Sequence, residues 1–342
     1  MANISRFHER RRLISLAAFS PALANAATRI LPSSSAQSSE RLREAQAREA
    51  LKSADGTKLV LLGTAAGPLL DTARVGRHQT AVAMLHGGSA YVLDFGLGVT
   101  NGFARTGIPF SAIKSLFLTH HHPDHNGEYG PFLLMGWIHG MKQTVRAYGP
   151  TPLRQMTQDY LRSQEVTIKF WAEDFHMQPL RRVDVTEFSE PGFVMEDENV
   201  KVRSALVNHP PVKPAFGYRF DFKDRSIAFS GDTTPLPAVA HLARGADVLV
   251  HECMYLPAVE KLGHLVAKVL PNVSYPTFMR HMRNDHTTVE DAGRIAQEAG
   301  VKTLVLYHLA PADVPIPDSV WIDAARKNFR GEVLVGYDLM VV

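Results

Sequence analysis

The run Thr119-His120-His121-His122-Pro123-Asp124-His125-Asn126-Gly127 constrains this chain more than any other part of it. It follows Ile113 to Leu118, an apolar stretch that reads as a buried strand. Alternate residues of an extended segment project to one side, so His120 and His122 can converge on one ion while His121 points away. Asp124 and His125 follow on the turn and can serve a second ion nearby. Imidazole and carboxylate donors suit zinc, with manganese or iron as alternatives. A lone histidine pair is commonly a satisfied structural feature, but four such donors packed at a strand end point to a metal site.

Other strands flank this one. Lys58 to Leu62 is a buried strand closed by Gly63-Thr64. Thr80 to Leu85 and Ala90 to Asp94 are two apolar runs joined by Gly87-Gly88, a hairpin signal. Thr144 to Pro150 reads as a strand and turn before a helix from about Pro152 to Ser163. Later strands fall at Val200 to Val207, Gly217 to Phe222, Ser226 to Ser230, Val248 to Val250 and Thr303 to Tyr307. Helices fall at Pro237 to Arg244 and Val289 to Ala299. Strands first, then strands alternating with helices, twice over, suit two sheets packed between helical layers. Val259, Leu262, Val266 and Val269 sit at helical spacing, so residues 254–285 form an insertion expected to overhang the histidine run.

Further segments match a known pattern in order and spacing: Leu62-Gly63-Thr64-Ala65-Ala66-Gly67-Pro68, Asp94-Phe95-Gly96, Asn208-His209-Pro210, Ser230-Gly231-Asp232-Thr233, His251-Glu252, His286-Thr287-Thr288 and Tyr307-His308. With the histidine run, they resemble the motifs of the metallo-β-lactamase superfamily, in particular its ribonuclease Z and arylsulfatase-like branch, over residues 58–342. The resemblance implies an α/β fold, a four-layer αββα sandwich. It implies that His120, His122 and His209 bind one metal, that Asp124, His125 and His308 bind a second, and that Asp232 bridges them. Two Zn2+ per chain are expected, with Mn2+ or Fe2+ as alternatives. Asp124, Glu252 and His286 are the expected catalytic residues: Asp124 orients a hydroxide nucleophile, and His286, paired with Glu252, protonates the leaving group. His251 reads as structural, and Cys253 as a small hydrophobe.

The contrast with ribonuclease Z bears on the substrate. Members of that family often carry a long basic arm between the third histidine motif and the bridging aspartate, and here only 22 residues (210–231) separate His209 from Asp232. Net charge is +3, part of it in Arg6, Arg10, Arg11 and Arg12, which gives no support for a broad nucleic-acid-binding face. Trp137, Phe170, Trp171 and Phe175 read as a pocket wall or lid, or simply as core. The expectation is a hydrolase of small esters, with aryl sulfates, phosphodiesters and lactones all open, nucleic acid disfavoured and a homodimer allowed. The alternatives are a transfer RNA 3′-processing endonuclease of the ribonuclease Z type, a weak β-lactamase, and a non-catalytic binding protein.

The first residues read as an address. Arg10-Arg11-Arg12 precede the apolar Leu13 to Leu23, and Ala24-Asn25-Ala26 offers a small-x-small cleavage site. Residues 1–26 are therefore expected to be a signal peptide, twin-arginine-like or general secretory, with 27–55 a linker and 56–342 the hydrolase domain. Export to the periplasm or outside the cell is expected, with a cytoplasmic location as the alternative. The apolar stretch is too short to span a membrane. The single cysteine excludes an internal disulfide.

Overall fold

A computed structural model describes residues 34–53, 55–67, 76–269 and 272–342. The expected signal segment, 1–26, lies outside the described residues. The chain divides into two compact units, 1–39 and 40–342, and the second carries both sheets.

Thirteen strands among the described residues form these sheets. β1 (Lys58–Gly63), β2 (Ala81–His86), β3 (Ser89–Leu93), β4 (Ile113–Phe117), β5 (Arg146–Pro150) and β6 (Asp184–Phe188) make the first, in sequence order. β7 (Gly192–Glu196), β8 (Val200–Leu206), β9 (Phe216–Phe222), β10 (Ser226–Phe229), β11 (Val248–Met254), β12 (Thr303–Ala310) and β13 (Glu332–Val335) make the second, also in order. Each sheet starts as an antiparallel meander and continues as parallel strands, from β3 in the first and from β10 in the second. One plan is used twice, as the order of elements in the sequence suggested.

The central strands are apolar on both faces because each sheet is covered on both there, while β6, β7 and β8 expose part of one face. Period-two alternation divides the side chains. Leu59, Leu61, Val82, Met84, Tyr91 and Phe117 of the first sheet meet Phe216, Tyr218, Phe220, Val250, Val305 and Tyr307 of the second. The intervening Val60, Leu62, Ala83, Val92 and Leu116 face outward, against Val99 and Phe103 of α2 (Val99–Thr106) and Phe132 of α4 (Tyr129–Ile138). On the far side Leu249, Leu304 and Leu306 pack against Val239 of α7 (Pro237–Leu242), Ile295 of α10 (Val289–Ala299) and Trp321 of α11 (Asp318–Arg326). Helix, sheet, sheet, helix is the expected four-layer αββα sandwich. Gly293 lets α10 and α11 approach closely, since a Cβ there would lie 2.3 Å from the Ala325 carbonyl oxygen. The last residues join the two halves: Leu59 and Val342 exchange backbone hydrogen bonds of 3.0 and 2.8 Å.

The structure bears out the helix expected from about Pro152 to Ser163 and extends or adds other elements. Within the stretch read as a linker, Ser34–Lys52 is one helix, α1. Its mean composition is polar, but Ala47 is buried, and Glu40 and Glu44 both pair with Arg105. Tertiary contacts of that kind decide a helix more than its weak periodicity. Residues 254–285 form a helical hairpin, α8 (Leu256–Val269) and α9 (Tyr275–Asp285). It packs through Val259, Met279 and Met282 on Met254 and Ala310. α5 (Leu153–Ser163) and α6 (Glu165–Asp174) join β5 to β6. Trp137 is core, packed with Leu161, Ile168, Ala172 and Leu180, while Phe170 and Phe175 are exposed. No helix among the described residues is long and apolar enough to cross a membrane.

Phe117 sits at the centre of the inter-sheet layer, fully buried, stacked 5.2 Å from Tyr148 and edge-on 5.0 Å from Phe220. Phe117→Ala is expected to cost about 3–5 kcal/mol of stability, read as a lower urea midpoint. A loss below about 1 kcal/mol would mean this layer is not the packed core.

Candidate metal centre

Each parallel strand near the middle of the two sheets ends at the same edge, and the polar residues follow those ends. His120 and His122 leave β4, and Asp124 and His125 lie on the single turn α3 (Pro123–Asn126). His209 follows β8 and Asp232 follows β10. His308 lies within β12 at φ 45°, and Glu252 within β11, where the β11–β12 register shifts. His286 is the residue after α9. A positive φ at a histidine is costly and redirects the ring out of the strand's alternation toward the cluster. Gly231, at φ 61°, turns the chain so that Asp232 points inward; a Cβ there would lie 2.6 Å from the Phe216 carbonyl oxygen.

These side chains meet as two four-donor sets. His120, His122, His209 and Asp232 offer ligand atoms all within 4.8 Å of one another, and so do Asp124, His125, Asp232 and His308. Asp232 belongs to both. Its Oδ2 lies 3.2 Å from His125 Nε2, 3.2 Å from His308 Nε2, 3.8 Å from His209 Nε2 and 3.9 Å from His120 Nε2. His308 Nε2 is 3.3 Å from Asp124 Oδ2. The structure thus brings together all seven residues that the sequence pointed to. His121 turns away, its Nε2 3.1 Å from the Pro150 carbonyl oxygen. His251 and Cys253 are buried beside the cluster and stay outside it. The His251 Nδ1 meets the Glu252 carbonyl oxygen at 2.6 Å.

The donors fit a divalent cation on their own chemistry. The Nε2 atoms of His120 and His125 and the Oδ1 of Asp232 are buried and have no hydrogen-bond partner. Buried polar atoms are ordinarily paired, so three unpaired ones converging on a small volume call for a cation. The charges agree. Burial holds His120 well below the usual imidazole range, and it lowers His122 to about 4 and His209 as well. Those rings are neutral, as metal ligation needs. Burial pushes the Asp232 and Asp124 carboxyls up, but the neighbouring His125 and His308 outweigh it and hold both below the usual carboxylate range. Burial likewise disfavours charge on His125, yet Asp232, Asp124 and Asp94 raise its pKa well above the ordinary value. Several buried carboxylates thus demand positive charge at this point, and divalent cations supply it.

A supporting layer fixes the donors. Asp94, buried at φ 63°, accepts from the Thr119 backbone N–H at 2.8 Å, from Thr119 Oγ1 at 2.9 Å and from His125 Nδ1 at 2.9 Å. This sets the His125 tautomer, leaving Nε2 as the donor atom. His209 Nδ1 donates to the Asp285 carbonyl oxygen at 2.9 Å, and Gly67 N–H donates to Asp124 Oδ2 at 2.8 Å. Sequence reading gave Asp94 no role of its own, although the Asp-x-Gly at the end of β3 carried the signal. Gly67 likewise lay in the matched segment Leu62 to Pro68 without a role of its own, and Asp285 carried no signal that could be read locally.

Next to the donors, Glu252 holds His286. Both Glu252 carboxylate oxygens lie 3.2 Å from His286 Nδ1, and Oε1 also accepts from the backbone N–H of Thr233 and Thr287. Burial lowers the His286 pKa, but Glu252 dominates and raises it to about 9. The ring stacks 5.7 Å from His308, which places it close to both donor sets.

Comparison with known proteins agrees with this arrangement. Residues 93–309 match the beta-lactamase superfamily domain. The chain is 30% identical over 286 residues to ribonuclease Z of Mycobacterium avium (strain 104), covering 82% of this chain and 96% of that protein. Among solved structures, human tRNase Z, short form, matches at a TM-score of 0.58 and 21% identity, over 83% of this chain and 98% of that one. The metallo-beta-lactamase fold protein YhfI of Bacillus subtilis matches at 0.61 and 18%, over 84% and 100%. Those two likenesses show the fold.

The relatives overturn one expectation. A small-molecule ester substrate with nucleic acid disfavoured does not stand beside relatives that are ribonucleases, one of them a tRNase. That expectation rested on the net charge of +3 and on the short connection from His209 to Asp232, now seen as β9, β10 and their turns. Both features bear on how a large substrate is gripped, and neither bears on the bond that is cut. The chain belongs to the metallo-β-lactamase superfamily, in its ribonuclease Z branch, and is a metal-dependent hydrolase acting on ester bonds.

Proposed function

We propose that this protein is a ribonuclease Z-type endonuclease that hydrolyses a phosphodiester bond of precursor transfer RNA at a dinuclear zinc centre. The observation that carries the reading is the pair of donor sets joined by Asp232 with His286, held by Glu252, beside them, in a chain matched along nearly the whole length of ribonucleases Z. His120, His122 and His209 would hold one ion, Asp124, His125 and His308 the other, and Asp232 both. When bound, the ions supply Lewis acidity toward the phosphate oxygens and a nucleophile from water near neutral pH.

The chain's own residues do the rest. Asp124, fixed by the Gly67 N–H, orients the attacking water. Glu252 fixes His286 through Nδ1, which leaves the Nε2–H free to donate. As the phosphorus–oxygen bond to the leaving group breaks, His286 passes that proton to the leaving oxygen. Glu252 then faces a neutral ring, ready to be reprotonated from solvent. Thr287 anchors the loop by donating its hydroxyl to the Thr233 carbonyl oxygen at 2.6 Å, which ties the proton donor to the strand end carrying Asp232.

Four outcomes are expected. Zinc-loaded protein should cleave precursor transfer RNA near the end of its acceptor stem on a denaturing gel, and Asp232→Ala should abolish the cleavage and halve or remove the bound zinc. Intact RNA with fully loaded protein would sink the reading. His286→Asn should lower kcat by about 10²–10⁴-fold with little change in metal content. In the wild-type protein kcat should fall on the alkaline side as His286 loses its proton. Its pKa of about 9 is an upper bound for that limb, because the cations disfavour the imidazolium. Asp94→Asn, which disturbs the His125 tautomer, should weaken metal binding by about 10–100-fold in a competition with a chelating dye, and unchanged affinity would exclude Asp94 as the orienting group.

A further inference from the structure

His281 lies on α9, one turn before Asp285, and neither the donor sets nor the proton donor uses it. Its Nδ1 meets Asp285 Oδ2 at 2.6 Å, the two residues being four apart on one helix face. The Asp285 carboxyl is almost buried, while the His281 side chain is 44% exposed. The ring stands edge-on to His286, 5.3 Å between centroids at 89°, and 6.4 Å from His209. The same Asp285 holds His209 through its carbonyl oxygen. One helical turn therefore fixes a metal-ligand candidate with its backbone and aims an accessible histidine with its carboxylate.

The hydrogen bond decides what that histidine can recognise. A carboxylate accepts only, so Nδ1 carries the hydrogen and Nε2 is left for a substrate group. A hydroxyl both donates and accepts, so it pairs with Nε2 whether or not that atom carries a hydrogen. Close to the leaving oxygen of an RNA phosphodiester, the hydroxyl donors on hand are the ribose 2′-hydroxyls of the flanking nucleotides, the groups that separate RNA from DNA.

We propose that His281 Nε2 makes a hydrogen bond with the ribose 2′-hydroxyl of a nucleotide flanking the scissile phosphate, which makes His281 a determinant of RNA over DNA at the cleavage site. This rests on the ribonuclease reading of the metal centre. His281 contributes substrate choice, and the bond-breaking step stays with Asp124, Glu252 and His286.

The test uses zinc-loaded full-length protein and precursor transfer RNA carrying a single 2′-deoxy substitution on either side of the scissile bond. Wild-type kcat/KM should drop about 3–10-fold at one of the two positions, the value of one neutral hydrogen bond. His281→Phe keeps a ring against His286 but has no hydrogen-bonding atom, and its ribose-to-deoxyribose ratio should fall to about one. His281→Gln, whose amide group can reach the Nε2 position, should restore the preference. A binding measurement gives an independent readout: product transfer RNA with and without the terminal 2′-hydroxyl should differ in Kd for the wild type and for His281→Gln, but not for His281→Phe. An unchanged ratio in His281→Phe, or an equal loss on all three substrates, overturns the proposal while leaving the ribonuclease reading intact. Failure of wild-type protein to cut any RNA overturns both.

Discussion

Buried between the ends of the two sheets, the Asp232 carboxylate has His125 and His308 each 3.2 Å from one oxygen and an unpaired second oxygen. A naked carboxylate there would be prohibitively desolvated, and histidine neighbours alone do not satisfy it. Every other feature of the site answers that demand. His120, His122 and His125 come from the first half of the chain; His209 and His308 come from the second. Asp232 is the point at which the repeated plan of the fold becomes one chemical centre.

The fold serves this point by geometry. Parallel strands share a direction, so the ends of β4, β10, β11 and β12 open on the same edge of the sandwich. The aromatic layer of Phe117, Tyr218 and Phe220 keeps the sheets in fixed register beneath it. Two strained backbone positions, Asp94 and His308, sit where side chains must leave strand alternation to reach the cluster. Such strain persists only where the surrounding packing over-determines it, and both residues are almost fully buried. Helix α9 adds a third level, holding His209 through the Asp285 carbonyl oxygen and His281 through the Asp285 carboxylate.

Substrate class is where local reasoning failed, and the reason is physical. Net charge averages over a whole surface, whereas phosphodiester hydrolysis is decided by cations in a volume a few ångströms across. The aromatic residues expected to form a pocket wall show the same limit. Trp137 is packed in a core with Leu161 and Ile168, and Phe170, on the adjoining helix, faces solvent. Nothing in the linear order of these residues distinguishes the two fates, because α6 owes its orientation to contacts with α4 and α5.

What the sequence determined by itself is whatever depends on short spacing. The period-two parity of Leu59, Val60, Leu61 and Leu62 divides one strand between two cores. The two-residue step from His120 to His122 puts both rings on one side and turns His121 toward the Pro150 carbonyl oxygen. The ordered motifs carried the fold and named the residues that the structure gathers at the strand ends. Tertiary structure alone decided the couplings between distant residues: Asp94 with Thr119 and His125, Glu252 with His286, Asp285 with His209 and His281. Asp94 and His125 are 31 positions apart, and Asp285 and His209 are 76 apart. Hydrogen bonds of that span depend on where whole strands and helices come to rest, and the information for that is spread over the packing of both sheets.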